Sequence, residues 1–280
     1  MDSDIGKSLD SINKLPNSIL CHRLSFLSTK NAVGSSILST RWQHLWNFVT
    51  SLNFNDYVLF PDRYEFDGRC EMVDLSFMNF VKMEFSLVNL SSLLKAKLRT
   101  WLSHSWHPTT NYGPSASKLL RGIANVEFLD ILIEVEGHVL PTFPNLTHLR
   151  LGLDCISCWN RDLLGGFLRC SPYLEVLILE GESPGSGELW GPPPQVPSCL
   201  TLHLKEVEIL QFDGKEYQLE LIKYILKNAK VLKKMTIGYL NSSSCFCNLS
   251  KKRKKSSSCV CMALSAFARG SRTCELNLRL

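Results

Sequence analysis

One spacing constrains this 280-residue chain more than any other property of its sequence. The pattern apolar-x-x-apolar-x-apolar occurs at Val126, Leu129, Ile131; at Leu146, Leu149, Leu151; at Leu174, Leu177, Leu179; at Leu204, Val207, Ile209; and at Leu232, Met235, Ile237. The last four begin 28, 30 and 28 residues apart. Residues two apart share a face of a strand, so each pattern predicts a short strand with one apolar side. A unit of that length cannot bury its apolar side alone, and a constant interval lets neighbouring units do it for one another.

The interval matches a leucine-rich repeat, a strand plus a returning helix or loop of typically about 20–29 residues. The predicted fold class is therefore α/β, a solenoid with an arc of parallel strands. Between strands, EYQLELIKYILKNA carries Leu219, Ile222, Ile225, Leu226 and Ala229 on one helical face and Lys223 and Lys227 on the other. Asp213-Gly214 supplies the turn before it. A weaker helix is expected over 162–169, and CELNLRL at 274–280 adds a last alternating strand. Upstream of Val126 the strands stop being legible. SSLLKAKLRTWLSHSW, 91–106, reads as a helix with Leu94, Leu98, Trp101 and Leu102 on one face, while 52–80 is aromatic-rich and unassigned. The Pro/Gly-rich run 185–197 and the polar run 242–259 read as loops.

A 45% hydrophobic and 20% charged composition is ordinary for a globular chain, and a net charge of +5 is too mild to specify a nucleic-acid partner. No apolar run reaches the roughly 18 residues of a membrane span, and Asp2, Asp4 and Asp10 interrupt the start where a secretory signal would be apolar. The expectation is a cytoplasmic or nuclear protein, without a membrane partner, whose 11 cysteines stay reduced.

The motifs that could carry chemistry each fail on a physical detail. Gly181-Glu182-Ser183-Pro184-Gly185 has the G-x-S-x-G spacing, but the residue after the serine must donate its N–H to an oxyanion and Pro184 has none. Cys245-x-Cys247 and Cys259-x-Cys261 offer four thiols, but C-x-C is tighter than the usual zinc spacing and the spacer is basic. Lys251-Lys252-Arg253-Lys254-Lys255 reads as a solvated loop, with a nuclear signal as the next reading, and no aromatic residue interleaves with it for base stacking. His104 and His107 lack an acidic partner, and no phosphate-cradling glycine motif occurs. No enzyme, metal or cofactor is expected.

The amino-terminal stretch LPNSILCHRLSFLSTKNAVGSSILSTRWQHLW packs two tryptophans and a series of leucines into a short span. Pro16 suits the first turn of a helix lined by Ile19, Leu20, Leu24 and Leu27. Thr29 caps a second, and Ile37, Leu38, Arg41, Trp42, Leu45 and Trp46 mark a third. Three short helices cannot hide that much apolar surface by themselves, so part of it is expected to face a partner.

Leu15 to Trp46 strongly resembles an F-box, with its Leu-Pro start, Leu24-Ser25-Phe26-Leu27, the Thr29-Lys30 step and Ser39-Thr40-Arg41-Trp42 followed by Leu45-Trp46. The downstream sequence looks like a plant F-box protein with leucine-rich repeats, and CLTLHLKEVEILQFDGKEYQLELIKYILKNAKVLKKMTI resembles the FBD domain of that group. The resemblance implies a three-helix F-box at 9–50, an irregular, partly helical linker at 51–120, leucine-rich repeats at 121–195 and an FBD-like repeat unit at 196–280. It further implies a substrate-recognition subunit of a Skp–cullin–F-box ubiquitin ligase, which binds a Skp-type adaptor, reaches cullin through it, and holds an unidentified protein substrate on its repeats. Carried over from the family pattern, the adaptor contacts are Leu15, Pro16, Ile19, Leu20, Leu38, Arg41 and Trp42. Strand alternation points His148, Arg150, Val176, Ile178, Glu206, Glu208, Lys234 and Thr236 away from the core as substrate contacts. Two rival readings stay open on sequence grounds: a repeat protein whose F-box-like segment only caps the solenoid, and a nucleic-acid-associated protein using the basic cysteine loop.

Overall fold

The computed structural model describes residue 12 and residues 14–27, 29–55, 93–99, 113–132, 140–152, 161–181, 190–239 and 264–279. It divides into two compact units, Met1–Thr100 and Trp101–Leu280.

The first unit begins with helix α1, Asn17–Leu24, and the short helix α2, Thr29–Gly34. The carbonyl of Pro16 accepts the N–H groups of Ile19 at 3.1 Å and Leu20 at 3.2 Å, so the proline stands just ahead of the helix and starts it. In place of the expected third α-helix come two 3-10 segments, Ser35–Ile37 and Trp42–Phe48. Ser35, Ser39 and Thr40 favour local backbone bonds over a continuous helix, and the Ser35 hydroxyl donates to the Ala32 carbonyl at 2.6 Å.

Leu20, Leu24, Trp42, Leu45, Trp46 and Val49 form the core of this part. The apolar stripe of α1 is thus Leu20 and Leu24, one turn apart; Ile19 and Leu27, expected beside them, are 45% and 42% exposed. Strands β1, Ser51–Asn55, and β2, Lys95–Arg99, pair in parallel with Leu52 opposite Ala96. The helix expected over 91–106 is therefore wrong at 95–99: Ala96 and Leu98 are buried at period two while Leu94 is exposed, and the pairing with β1 overrides a helical periodicity. Buried Thr29 ties α2 to this pair, its hydroxyl accepting the Asn53 N–H at 2.9 Å.

The second unit realises the repeat. Helix α3, Gly113–Gly122, precedes β3, Phe128–Leu132, and β4, His148–Gly152. Then come α4, Arg161–Cys170; β5, Val176–Glu180; α5, Ser198–Leu202; β6, Glu206–Phe212; α6, Glu216–Asn228; β7, Lys234–Tyr239; and β8, Glu275–Arg279. The strands β3 to β8 pair in sequence order, every pairing parallel.

All fifteen residues of the five apolar patterns are at most 2% exposed. At about 1.5–3 kcal/mol for fully burying a large aliphatic side chain, this column is the unit's main source of stability. Each strand also starts at the same level: the N–H groups of Val176, Glu206 and Lys234 donate to Thr147, Glu175 and Lys205 at 2.9, 3.0 and 3.1 Å. Equal starts in neighbouring units set the register.

Helix α6 buries Ile222, Ile225, Leu226 and the following Ala229 as expected, but Leu221 is buried with them and Leu219 is only half-buried. Gly214, at φ 82°, makes the turn ahead of it. Gln218 joins the buried face because its amide oxygen accepts the N–H groups of Asp213 at 3.0 Å and Gly214 at 3.2 Å, fastening the turn to the helix. Helix 162–169 is found one residue longer at each end, as α4. The last strand is found at 275–279.

The readings placed on 56–92, 101–112, 153–160, 182–189 and 241–263 lie outside the described residues. They include Ser183, the histidines at 104 and 107, the 245–261 cysteine loop and the basic run 251–255. Among the described residues, no helix is long and apolar enough to cross a membrane.

Candidate functional site

Each unit presents one candidate surface. On the first, Pro16 and α1 carry the sequence-predicted contacts outward: Leu15 is 37% and Ile19 45% exposed, and Pro16 is also exposed. Leu38, directly after the first 3-10 segment, is 50% exposed. Arg41 is half-buried and its guanidinium is committed within the chain. Its Nε and Nη2 donate to the Asn17 side-chain oxygen at 3.0 and 2.7 Å, and Nη2 also donates to the Leu15 carbonyl. It thereby clamps the start of α1 to the segment leading into Trp42 and brings Leu15 and Arg41 together.

Leu20 at 1% and Trp42 at 7% exposure correct the expectation that they meet a partner directly. Both lie in the core, where the small unit needs every large side chain it can bury.

Sequence reasoning missed Phe26, Ile37 and Phe48, which are 72%, 87% and 58% exposed. The Phe26 ring meets His22 edge-on at 4.9 Å. Phe48 borders an open hollow of about 440 Å³ shared with Asn17, Ser18, Cys21, His22, Leu45 and Thr50. The Cys21 thiol on this hollow is pushed up by burial and donates to the Leu45 carbonyl at 3.4 Å. The available signal was the helical phase. Once Leu20 and Leu24 are taken as the core stripe, Ile19 and Phe26 fall outside it.

On the second unit the strand pairings arrange the predicted substrate residues in two rows. His148, Val176, Glu206 and Lys234 are successive register partners, as are Arg150, Ile178, Glu208 and Thr236. Phe128 and Glu275 extend the first row, and Asp130 and Asn277 the second.

The rows are largely self-satisfied. The Phe128 and His148 rings stack at 4.3 Å. Arg150 donates to Glu180 through Nε at 3.0 Å and Nη2 at 2.7 Å, and Arg279 donates to Glu208 at 2.6 Å across the intervening β7. Beside them the Lys205 ammonium, 2.6 Å from Glu175, donates to that carboxyl and holds it below the usual carboxylate range. Thr236 corrects a second expectation: it is 3% exposed, seated on β7 between the strands whose side chains make the Arg279–Glu208 bridge. Val176 and Ile178 are half-buried apolar residues at the centre of the rows, with exposed Glu206 and half-buried Lys234 next to them. Among the described residues no cluster of side chains is arranged to hold a metal ion.

Residues 192–237 match the FBD family, a span that contains α5, β6, α6 and the first four residues of β7. The F-box/LRR-repeat protein At3g58900 of Arabidopsis thaliana is 32% identical over 182 residues, covering 61% of this chain and 51% of its own. The F-box/FBD/LRR-repeat protein At3g26920 of the same plant is 37% identical over 132 residues, 44% of this chain and 30% of its own. This chain belongs to the plant F-box/LRR-repeat/FBD proteins. A third relative, the Arabidopsis F-box/LRR-repeat protein At3g58940, is 29% identical over 218 residues, 73% of this chain and 34% of its own. The chain thus spans about half, or less, of the length of these relatives. No solved structure matches it.

In this F-box/LRR-repeat/FBD chain the FBD match is no separate body. Its strands β6 and β7 continue the ladder from β5 in parallel, as two more units of the same repeat.

Proposed function

We propose that the chain is the substrate-recognition subunit of a Skp–cullin–F-box ubiquitin ligase, docking a Skp-type adaptor through the exposed apolar residues of its first unit. The observation that carries this reading is where apolar surface is left uncovered. Of the thirteen exposed large hydrophobics among the described residues, eight lie between Ile12 and Phe48. A concentration of that kind marks a protein-binding face, since singly scattered apolar residues are the norm elsewhere. Leu15, Pro16, Ile19 and Leu38 meet the adaptor in this reading, Arg41 orders them through Asn17 and Leu15, and Leu20 and Trp42 support them from beneath.

The rows on β4 to β7 hold the protein substrate, with Val176 and Ile178 as apolar anchors and Glu206 and Lys234 as polar neighbours. His148, Arg150 and Glu208 contribute once their present partners rearrange. The chain performs no bond chemistry; it positions the substrate for a ligase assembled through the adaptor and cullin.

The test is co-purification of the chain with a plant Skp-type adaptor. Ile19→Asp combined with Leu38→Asp should abolish retention while leaving the melting transition in place, because both side chains are at least 45% exposed. Undiminished retention of the adaptor by that variant, or none by the parent chain, refutes the reading.

A further inference from the structure

The starting ends of β5, β6 and β7 gather apolar and basic side chains that the fold itself does not use. Of the four exposed large hydrophobics described in the second unit, three lie there: Tyr173 ahead of β5, Leu202 ahead of β6 and Val231 ahead of β7, at 54%, 62% and 38% exposure. Tyr173, His203 and Val231 each stand one residue before the first leucine of their pattern, so the repeat sets them side by side on neighbouring units. The Tyr173 and His203 rings meet edge-on at 5.2 Å. The Lys230 N–H donates to the Leu200 carbonyl at 3.1 Å, which holds the end of α6 against α5.

Cations border this row. Lys227, Lys230 and Lys233 are exposed around the end of α6 and the start of β7. Exposed Arg272 is brought to the same place, because the Gly270 N–H donates to the Leu226 carbonyl at 2.7 Å and the Ser271 hydroxyl to the Leu232 carbonyl at 2.6 Å. Among the described residues no carboxylate pairs with any of these four, whereas Lys205 is held by Glu175, Lys215 by Asp213 and Lys223 by Glu220. The helix dipole gives a local reason for Lys227 and Lys230 at the end of α6, but Lys233 and Arg272 stand outside the helix. The connection 241–263 contains no Asp or Glu, so it brings no carboxylate to them. Earlier and later units of a solenoid stack beside this edge and not over it.

Unanswered positive charge around exposed Leu202 and Val231 calls for an occupant that is acidic and apolar at once. A nucleic acid supplies the charge, but Leu202 and Val231 are aliphatic and give its bases no ring to stack on. A protein segment in which Asp and Glu flank an aliphatic residue satisfies both requirements. We propose that the starting edge of β5 to β7 is a second docking surface, which takes an acidic protein segment whose apolar residue packs on Leu202 and Val231 while its carboxylates meet Lys227, Lys230, Lys233 and Arg272. All of these except Arg272 fall within the FBD match, and the surface does not depend on the adaptor reading.

Fluorescence anisotropy of a dye-labelled peptide of mixed Glu, Asp and Leu, titrated with the full chain, tests the proposal. The expected result is saturable binding that weakens as salt is raised. Lys227→Gln, Lys230→Gln and Lys233→Gln combined should weaken it about tenfold, and Leu202→Ser with Val231→Ser about fivefold. Every one of these positions is exposed, so the melting temperature should stay nearly unchanged in both variants. Lys215→Gln with Lys223→Gln, whose lysines are already paired, is the control and should leave the binding within about twofold of the parent's. A parent chain that does not bind the peptide saturably, or binding indifferent to either the lysine or the Leu202 and Val231 changes, overturns the proposal. So does tighter binding of a single-stranded oligonucleotide of the same charge that ignores Leu202→Ser with Val231→Ser, a result that would give the surface to nucleic acid instead.

Discussion

Gly270 offers a sharp test of how the second unit is held together. A Cβ on this residue would lie 2.5 Å from the Lys227 carbonyl oxygen, 3.1 Å from its carbon and 3.2 Å from Lys230 Cδ. The first two atoms are backbone at the end of α6 and cannot swing aside. The glycine cannot retreat either. Its N–H donates to the Leu226 carbonyl at 2.7 Å, and the next residue, Ser271, is buried with its hydroxyl donating to the Leu232 carbonyl at 2.6 Å. Relieving the overlap forfeits the first of those bonds or strains both. Overpacking and a compromised buried hydrogen bond together cost about 2–3 kcal/mol, and the stiffer unfolded chain of the alanine variant returns about 0.4–1 kcal/mol. Gly270→Ala should therefore lose roughly 1–2 kcal/mol, a fall in melting temperature of about 3–6 °C for a unit of this size. Gly34→Ala is the control: nothing lies within 4 Å of its Cβ position at the end of α2, and the change should be neutral or slightly stabilising. Thermal unfolding followed by circular dichroism reads both. A Gly270→Ala melting temperature equal to or above the parent's would show that the close approach has no energetic weight.

Three further outcomes are expected. Leu177→Ala, at a wholly buried position in the apolar column, should cost about 2–5 kcal/mol in urea unfolding, whereas Arg150→Met should cost under about 1 kcal/mol because the Arg150–Glu180 bridge is partly exposed. Cys199 is fully buried, its thiol donating to the Leu168 carbonyl at 3.2 Å, and burial pushes its pKa up to about 12. A neutral thiol favoured in the folded state contributes stability that is complete below the unfolded pKa near 9 and is lost as pH rises from there toward 12; stability should fall by up to about 1.4 kcal/mol per pH unit, with a shallower slope in Cys199→Ala. Thiol labelling at mildly alkaline pH should correspondingly find Cys199 inert until the chain unfolds.

The solenoid was legible in the sequence because its determinant is local and repeated. In each unit three apolar residues at fixed offsets suffice to specify a strand, its buried face and, through the constant interval, its neighbour. Leu146, Leu174, Leu204 and Leu232 recur at 28, 30 and 28 residues, and all four end wholly buried at corresponding places. The β2 segment failed the same method for a physical reason. Lys95–Arg99 carries only Ala96 and Leu98 as inward residues, too little alternation to outweigh the helical spacing of Leu94, Leu98, Trp101 and Leu102, and what makes it a strand is β1, some forty residues upstream. Thr236 shows the limit of alternation: it stands at the position that period two assigns to the outer face, yet it is 3% exposed. Burial on a sheet face depends on the lengths of neighbouring side chains, which periodicity does not encode.

The first unit poses the opposite difficulty, and its outcome bears on which residues deserve mutation. Of the four apolar candidates, Leu27 lies past the end of the eight-residue helix, and of the three on it only Leu20 and Leu24 turn inward. Leu20 and Leu24 win because, spaced by four, they face the Trp42–Phe48 segment together, and Cys21 beside them fixes the rotation by donating to the Leu45 carbonyl. Ile19, one residue before Leu20, is then turned outward by about 100°, the angle per residue of an α-helix. A truncation of Trp42 or Leu20 would weaken partner binding and folding alike, since both side chains are core. Ile19→Asp changes only what the surface offers, so loss of adaptor binding without loss of melting temperature at that position separates docking from folding.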